Sequence, residues 1–201
     1  VAVDPAVALA LANLHRSFQS ENVFLNGDLH LVAFDAGEVG EENVACGGFK
    51  EVDTGEGDAS QLVLKDQILK CGNKPDLRFL VISSDVIYPD GAMRDYESRF
   101  FLPFKGFEKP IYAIPGNHDW YDALESFCAV FMEKEAARRA IRARVEEDQN
   151  LSTTTDGRID AMLEQAERLE DLYNLDVGHQ RAPYFQLQTE KFALIAVDTG
   201  I

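Results

Sequence analysis

The chain has 201 residues, of which 46% are hydrophobic and 27% charged, and its formal net charge is −16. This composition is typical of a soluble globular protein with a substantial core. The negative charge argues against wrapping nucleic acid or binding an anionic membrane surface, although a bound cation can reverse the field locally and permit phosphate chemistry.

The three cysteines, Cys46, Cys71 and Cys128, are scattered and form no CxxC pair. An odd number without paired spacing predicts reduced thiols rather than a disulfide framework or a zinc cluster. No apolar run reaches membrane-spanning length, and the first residues lack the charged region that opens a signal peptide. We therefore expect no membrane span in this chain, and a cytoplasmic location is slightly favoured.

The first half of the chain alternates between predicted helices and strands. Residues 6–18 predict a short amphipathic helix, and residues 22–37 predict two strands with period-2 alternation around a turn. A Gly-rich loop over 37–48 follows. Residues 58–72 then predict a helix, because a capping-box pattern opens it and a glycine closes it.

Two short, continuously apolar strands come next, at 78–83 and 111–114, and 94–101 predicts a helical turn or two between them. Turn residues follow each strand. A strand, helix, strand alternation of this kind predicts an α/β fold with a parallel sheet covered on both faces.

The second half has a different character. From Tyr121 to about Leu175, apolar and charged residues alternate at helical spacing, interrupted at 149–157. This pattern predicts an acidic helical hairpin, an insert over about 121–177, whose simplest interpretation is a solvated charged surface. Residues 184–188 and 192–197 then predict a β-hairpin. We expect one domain over 1–201.

Side chains that can bind a metal follow three short segments that the sequence allows as strands. Asp53 follows residues 49–52, Asp85 and Tyr88 follow the strand at 78–83, and Asn117, His118 and Asp119 follow the strand at 111–114. Sites in α/β sheets assemble at the carboxyl ends of the strands, so three such turns would converge on one crevice. Oxygen and imidazole ligands suit a divalent or trivalent metal ion.

Two of these segments resemble motifs of the calcineurin-like metallophosphoesterases. Residues 116–119, Gly-Asn-His-Asp, match G-N-H-[DE], and residues 85–88 are similar to G-D-x-x-Y with Ser84 in place of the glycine. Residues 53–55, Asp-Thr-Gly, resemble the D-x-G that opens the purple-acid-phosphatase-like branch. Residues 180–200 also look like the strand pair of such enzymes. The resemblance runs from about 49 to 201, interrupted by the helical segment, and implies a four-layer α/β/β/α sandwich.

The resemblance also implies an activity. It indicates a phosphoester hydrolase, a phosphatase or phosphodiesterase, in which two ions of iron, manganese or zinc activate water for attack on a phosphate ester. By resemblance Asp85 bridges both ions, Asp53 and Tyr88 bind the first, and Asn117 binds the second. His118 would face the scissile ester and Asp119 would orient its ring.

The position of the first metal motif has three alternatives. Asp53 is preferred because a capped helix begins directly after it and its spacing to Asp85 fits one βα unit, although Lys50 and Glu51 make a poor buried strand before it. Asp28 and His30 offer the commoner D-x-H pattern. Asp35 and Gly37 offer D-x-G after a cleaner strand.

The family completes its metal site with histidines in motifs of the types V-x-x-H and G-H-x-H, and nothing here matches either. We therefore expect this sequence to be the N-terminal part of a longer enzyme, weakly active or inactive alone and prone to associate through an exposed sheet face or with its missing C-terminal half. The alternatives are that the second half comes from another chain or that the site is inactive. The alternative function is a non-catalytic module of the same fold that binds a protein partner through the acidic helices. A nucleotide-binding loop at Gly55 and Gly57 is a third, less favoured alternative.

Overall fold

A computed structural model describes residues 30–34, 59–73, 75, 77–83, 85–147, 154–188 and 193–198. The predicted helix over 6–18, the Gly-rich loop and the residues Asp28, Asp35 and Asp53 lie outside the described residues.

Three parallel strands form the central sheet. They are β1 (His30–Phe34), β2 (Leu77–Ile82) and β3 (Ile111–Ala113), in the order β1-β2-β3. Phe34 and Ala113 are both in register with Ile82, so the three strands end level with one another. The predicted parallel sheet is confirmed for these strands, and their carboxyl ends form one edge.

Helices connect the strands and cover one face of the sheet. Helix α1 (Ala59–Gly72) lies between β1 and β2, close to the predicted 58–72. A continuous helical segment follows β2: α2 (Met93–Tyr96), a π-helical turn (Glu97–Phe101) and α3 (Leu102–Phe104).

Aromatic side chains fill the main core. Phe100 lies between Phe104 and Phe131, with ring centroids 5.3 and 5.1 Å from its own, and all three rings are buried. Each buried phenylalanine contributes about 1.5–3 kcal/mol of hydrophobic free energy. Leu80 and Ile82 of β2 belong to this core.

The opposite face of the sheet is covered by an antiparallel hairpin. Its strands, β4 (Phe185–Gln188) and β5 (Ala193–Ala196), match the predicted hairpin. Leu194 packs with Phe79 and Val81 of β2 in a second, smaller core. Because β2 is buried on both faces from Phe79 to Ile82, these four residues are all apolar rather than alternating with polar ones.

Three helices occupy the segment predicted to be helical: α4 (Glu125–Phe131), α5 (Lys134–Glu147) and α6 (Asp156–Tyr173). α5 and α6 are joined by three ion pairs, Lys134–Glu167, Arg138–Asp160 and Arg142–Asp156.

These helices do more than present a charged surface. The buried side chains of α5 and α6, Ile141, Ile159, Leu163 and Leu169, are part of the main core. The structure is thus a mixed α/β fold, while the insertion into a four-layer sandwich stays a prediction. Among the described residues, the structure contains no helix with the length and apolarity that a bilayer crossing requires.

The open edge of β3 is closed by a side chain. Gln180, 2% exposed, accepts a hydrogen bond from the Ala113 amide through Oε1 (2.8 Å) and donates one from Nε2 to the Ala113 carbonyl (3.0 Å). Its amide group imitates a neighbouring strand at this position. This contact fixes β3 just before the chain turns into the residues Gly116–Asp119.

Candidate active site

Asp85 lies in the turn that leaves β2, and its carboxylate is held on both oxygens. Oδ1 accepts a hydrogen bond from the backbone amide of His118 (3.0 Å), and Oδ2 accepts one from the Tyr88 hydroxyl (2.7 Å). The side chain is buried, with the residue 5% exposed. Asp85 also has φ of 35°, a conformation that non-glycine residues rarely adopt and that concentrates at functional sites.

Gly116 allows the two turns to approach. A Cβ atom on Gly116 would lie 2.0 Å from Oδ1 of Asp85 and 2.3 Å from its amide nitrogen. Both distances are far inside van der Waals contact, and the Asp85 backbone is one of the groups that would be struck. The glycine of the Gly-Asn-His-Asp segment is therefore required by the close packing of Asp85 against it.

Asp119 connects the same two turns from inside the protein. Its carboxylate is fully buried and accepts hydrogen bonds from three backbone amides: Val86 (2.9 Å), Ile87 (3.1 Å) and Gly116 (2.9 Å). Burial raises the pKa of Asp119 to about 7, against the opposing effect of these amides, which favour the carboxylate. Asp119 thus holds the backbone of both turns.

The ring of His118 is oriented by a different residue from the one that the sequence suggested. Its Nδ1 lies 2.6 Å from the carbonyl oxygen of Pro89, whereas the Asp119 carboxylate is occupied by backbone amides. The expectation that Asp119 orients this ring is corrected accordingly. Because a carbonyl only accepts, Nδ1 carries the hydrogen and Nε2 is the ring nitrogen that can exchange a proton with a ligand.

Two tyrosines flank the His118 ring. The Tyr88 ring is tilted by 38° against it at a centroid distance of 4.1 Å, and the Tyr121 ring meets it edge to face at 5.0 Å. Tyr121 also accepts a hydrogen bond at 3.5 Å from Nδ2 of the exposed Asn117. With its nitrogen engaged in this way, Asn117 would offer a metal its carbonyl oxygen, Oδ1.

The donor set suits a hard cation but is incomplete within the described ranges. In the part of the chain that the structure describes, Asp85 forms no ion pair with Lys or Arg, and a buried carboxylate favours a cationic partner. The Tyr88 and Asp85 oxygens, 2.7 Å apart, are near the spacing of about 3 Å between adjacent oxygen ligands on one small ion. No group of three or more His, Cys, Asp or Glu side chains among the described residues is arranged to hold a metal.

The structure therefore brings together Asp85, Tyr88, Asn117, His118 and Asp119, and Asp53 lies outside the described residues.

Sequence reasoning missed the Pro89 carbonyl and the role of Tyr121. It also did not predict that Asp198 Oδ1 accepts a hydrogen bond from Nε1 of Trp120 (3.4 Å), across 78 positions of sequence. For Tyr121 a signal was present, since an aromatic residue two positions after Asp119 lies in the turn that carries the site. For the contacts of the Pro89 carbonyl and of Asp198, no local sequence pattern exists that would predict them.

A family model described as calcineurin-like phosphoesterase matches residues 22–184, which is more than half of the chain. Searches of curated proteins and of solved structures returned no match.

Proposed function

The chain belongs to the calcineurin-like phosphoesterase family, and from that premise we propose that it hydrolyses phosphate esters at the carboxyl ends of β1, β2 and β3. One observation carries the proposal. The buried Asp85 carboxylate is held against the Gly-Asn-His-Asp turn by the His118 amide at 3.0 Å, so that a carboxylate, a phenol, an amide and an imidazole share one edge of the sheet.

We assign the first metal ligand to Asp35 in preference to Asp53. The strand that pairs with β2 is His30–Phe34, and the next residue in the sequence after Phe34 is Asp35, followed by Ala36 and Gly37 in the D-x-G pattern. Phe34 is in register with Ile82, whose strand leads to Asp85. This pairing supports Asp35 as the carboxylate supplied by the first strand.

The same pairing argues against the D-x-H alternative. His30 is the first residue of β1 and Phe34 the last, so His30 is about 13 Å from the edge at which Asp85 lies. Asp28 precedes His30 in the sequence. A ligand pair at the amino end of β1 would lie at the opposite edge of the sheet from Asp85 and Asn117.

In this proposal, Asp85, Tyr88 and Asn117, together with Asp35, would hold the metal ions. Two bound ions would supply an activated water and neutralise charge that develops on the phosphoryl group. Asp85 has the central position, because both of its oxygens face groups from the two turns. The family suggests divalent metals, and iron, manganese and zinc remain our candidates.

His118 would donate the proton that the leaving group needs. The Pro89 carbonyl holds the hydrogen on Nδ1, which leaves Nε2 to protonate the departing ester oxygen when the ring is an imidazolium. Tyr88 packs against the ring and limits its rotation. Asp119 would act indirectly, because its hydrogen bonds fix the backbone of the two turns that carry Asp85 and His118.

Membership of the purple-acid-phosphatase-like branch is a finer proposal that rests on Tyr88. The Tyr88 hydroxyl is 2.7 Å from Asp85 Oδ2, a position from which the deprotonated phenol and the carboxylate can bind one ion. A ferric phenolate absorbs visible light by charge transfer. Iron-loaded protein should therefore be coloured, and Tyr88→Phe should lose the band while keeping the iron; a band that survives the substitution contradicts this assignment.

The decisive experiment measures metal content and phosphomonoester hydrolysis in the full-length protein and in three single variants of it, Asp35→Asn, Asp85→Asn and Asn117→Ala. Each should lose bound metal and lose hydrolysis by about 100-fold or more. Asp53→Asn distinguishes the two candidate first ligands, because it should retain both properties. Asp171→Asn, at an exposed position on α6, is the matched control for a carboxylate substitution.

Wild-type hydrolysis that is unaffected by Asp85→Asn and Asn117→Ala would refute the proposal. If the protein binds no metal and instead binds a protein partner stoichiometrically, the non-catalytic alternative is favoured. If Asp53→Asn loses metal and hydrolysis as strongly as Asp85→Asn does, while Asp35→Asn loses neither, then Asp53 is the first metal ligand.

A further inference from the structure

Tyr121 stands out in the described structure as a large aromatic side chain that is held in place and yet left open to solvent. The residue is 64% exposed. It belongs to the 3₁₀ turn Asp119–Asp122, which begins at the last residue of the Gly-Asn-His-Asp segment. A single exposed aromatic residue is ordinary in itself, so the argument depends on what fixes this one and what lies beside it.

The turn points its other side chains inward. Residues three apart in a 3₁₀ helix lie on the same side, and Asp119 is fully buried while Asp122 is partly buried below it. Trp120 packs against the main core, with the Arg144 guanidinium 4.9 Å from its ring centroid. Tyr121 alone among these four residues is exposed.

Tyr121 is nevertheless not a freely rotating side chain. Its amide donates to the His118 carbonyl (3.2 Å), its ring meets the His118 ring edge to face, and its hydroxyl accepts from Asn117 Nδ2. The rings of Tyr88, His118 and Tyr121 therefore form a continuous row. The row starts at the Asp85 carboxylate and ends at an aromatic face in solvent.

We propose that Tyr121 determines substrate specificity by stacking against a planar, aromatic leaving group. This inference rests on the proposed function, in which His118 protonates the oxygen of the departing alcohol. Whatever group is attached to that oxygen must lie close to His118, and the next ring in the row is Tyr121. An exposed aromatic face stacks on aryl and nucleobase rings without needing matched hydrogen bonds, so the favoured esters are those of phenols or of nucleosides.

The test compares non-hydrolysable ligands in the full chain. Phenylphosphonate and methylphosphonate share the phosphoryl group and differ in the ring. Wild-type protein should bind phenylphosphonate more tightly in titration calorimetry, and Tyr121→Leu should reduce this preference by about tenfold. Tyr121→Phe keeps the ring but removes the hydroxyl that contacts Asn117, and it should retain the preference. The matched control is Tyr184→Leu, because Tyr184 is 63% exposed but lies immediately before β4 rather than in the turn that carries His118.

Four other outcomes of the binding test overturn the inference. Equal loss of both phosphonates in Tyr121→Leu indicates a structural effect, and equal loss in Tyr121→Phe indicates that the hydroxyl acts through Asn117. An unchanged preference, or no binding of phenylphosphonate by the wild type, also contradicts it. A second arm measures kcat/KM for phenyl phosphate and ethyl phosphate, where Tyr121→Leu should lower the ratio chiefly through KM. If the full-length wild type hydrolyses neither ester while the phosphonate preference depends on Tyr121, the proposed function fails and the stacking role stands.

Discussion

The carboxylate of Asp85 and the Cα of Gly116 are packed so closely that even a methyl group does not fit between them. A Cβ on Gly116 would lie 2.0 Å from Oδ1 of Asp85. We expect Gly116→Ala to displace the Asp85 turn and to weaken metal binding by about 10–100-fold, as loss of a positioning contact does. Metal titration of the purified variant measures this effect.

Gly157 provides the control for that substitution. It lies in the first turn of α6, and a Cβ there has no atom within 4 Å. Gly157→Ala should keep metal affinity and raise the free energy of unfolding by about 0.5–1 kcal/mol, because alanine is a better helix former than glycine. Equal metal affinity in both alanine variants would contradict the packing argument.

Asp119 should be needed for stability more than for proton transfer. In Asp119→Asn one oxygen becomes an NH2 group that faces amide donors, so the hydrogen bonds to Val86, Ile87 and Gly116 cannot all be kept. We expect the free energy of unfolding to fall by about 2 kcal/mol. Urea denaturation at pH 8, above the pKa of about 7, measures it. A variant of wild-type stability with an altered pH profile of activity would instead favour a role in orienting His118.

Asp122 should make stability depend on pH. Burial, with smaller contributions from Glu125 and Asp119, raises the pKa of Asp122 to about 7, and its Oδ1 is buried with no hydrogen-bond partner among the residues that the structure describes. The folded protein therefore keeps this proton up to about pH 7, whereas the unfolded chain releases it near pH 4. The stability that this proton provides is present below pH 4 and is lost as the pH rises toward and through 7.

In Asp122→Asn the proton cannot be lost, and Asn can still accept from the Ser126 amide. We expect the stability of the wild type relative to Asp122→Asn to fall by roughly 1–2 kcal/mol between pH 5 and pH 8. Denaturation curves of both proteins at several pH values provide the measurement. If the stability of the wild type relative to Asp122→Asn stays constant over this range, or increases with pH, the expectation is contradicted.

Gln180 should stabilise the sheet at the position that leads into the site. Gln180→Ala leaves the amide and carbonyl of Ala113 without their buried partners. We expect a loss of about 2–3 kcal/mol in the free energy of unfolding. Gln186→Ala, at an exposed position of β4, should change it by less than about 0.5 kcal/mol. Similar losses in both variants would show that Gln180 has no special function at this edge.

Sequence patterns predict the local elements of this fold well, and the reason is visible in the core. The second part of β2, residues 79–82, is a continuous apolar run because Leu80 and Ile82 face one core while Phe79 and Val81 face the other. The helix over 58–72 and the hairpin of β4 and β5 also follow from periodicity and turn residues. In each case the signal lies within the element itself.

Pairing between distant segments is less accessible from sequence. The spacing from Asp53 to Asp85 fits one βα unit, yet the strand beside β2 is His30–Phe34, about 45 residues earlier in the chain. The contact between His118 and the Pro89 carbonyl spans 29 positions and involves a backbone atom, which no side-chain motif encodes. The assignment of Asp119 was wrong for a related reason, because its partners are backbone amides, which every residue type except proline provides.

The three amides bound by Asp119 also have a kinetic consequence. Val86 and Ile87 belong to the turn after β2 and Gly116 to the turn after β3, yet all three donate to one carboxyl group. Opening of either turn weakens the acceptor on which the other depends, so both segments should open as one cooperative foldon, with matched amide-exchange rates in deuterated solvent. The ligands of this site would then be acquired and lost together rather than one after another.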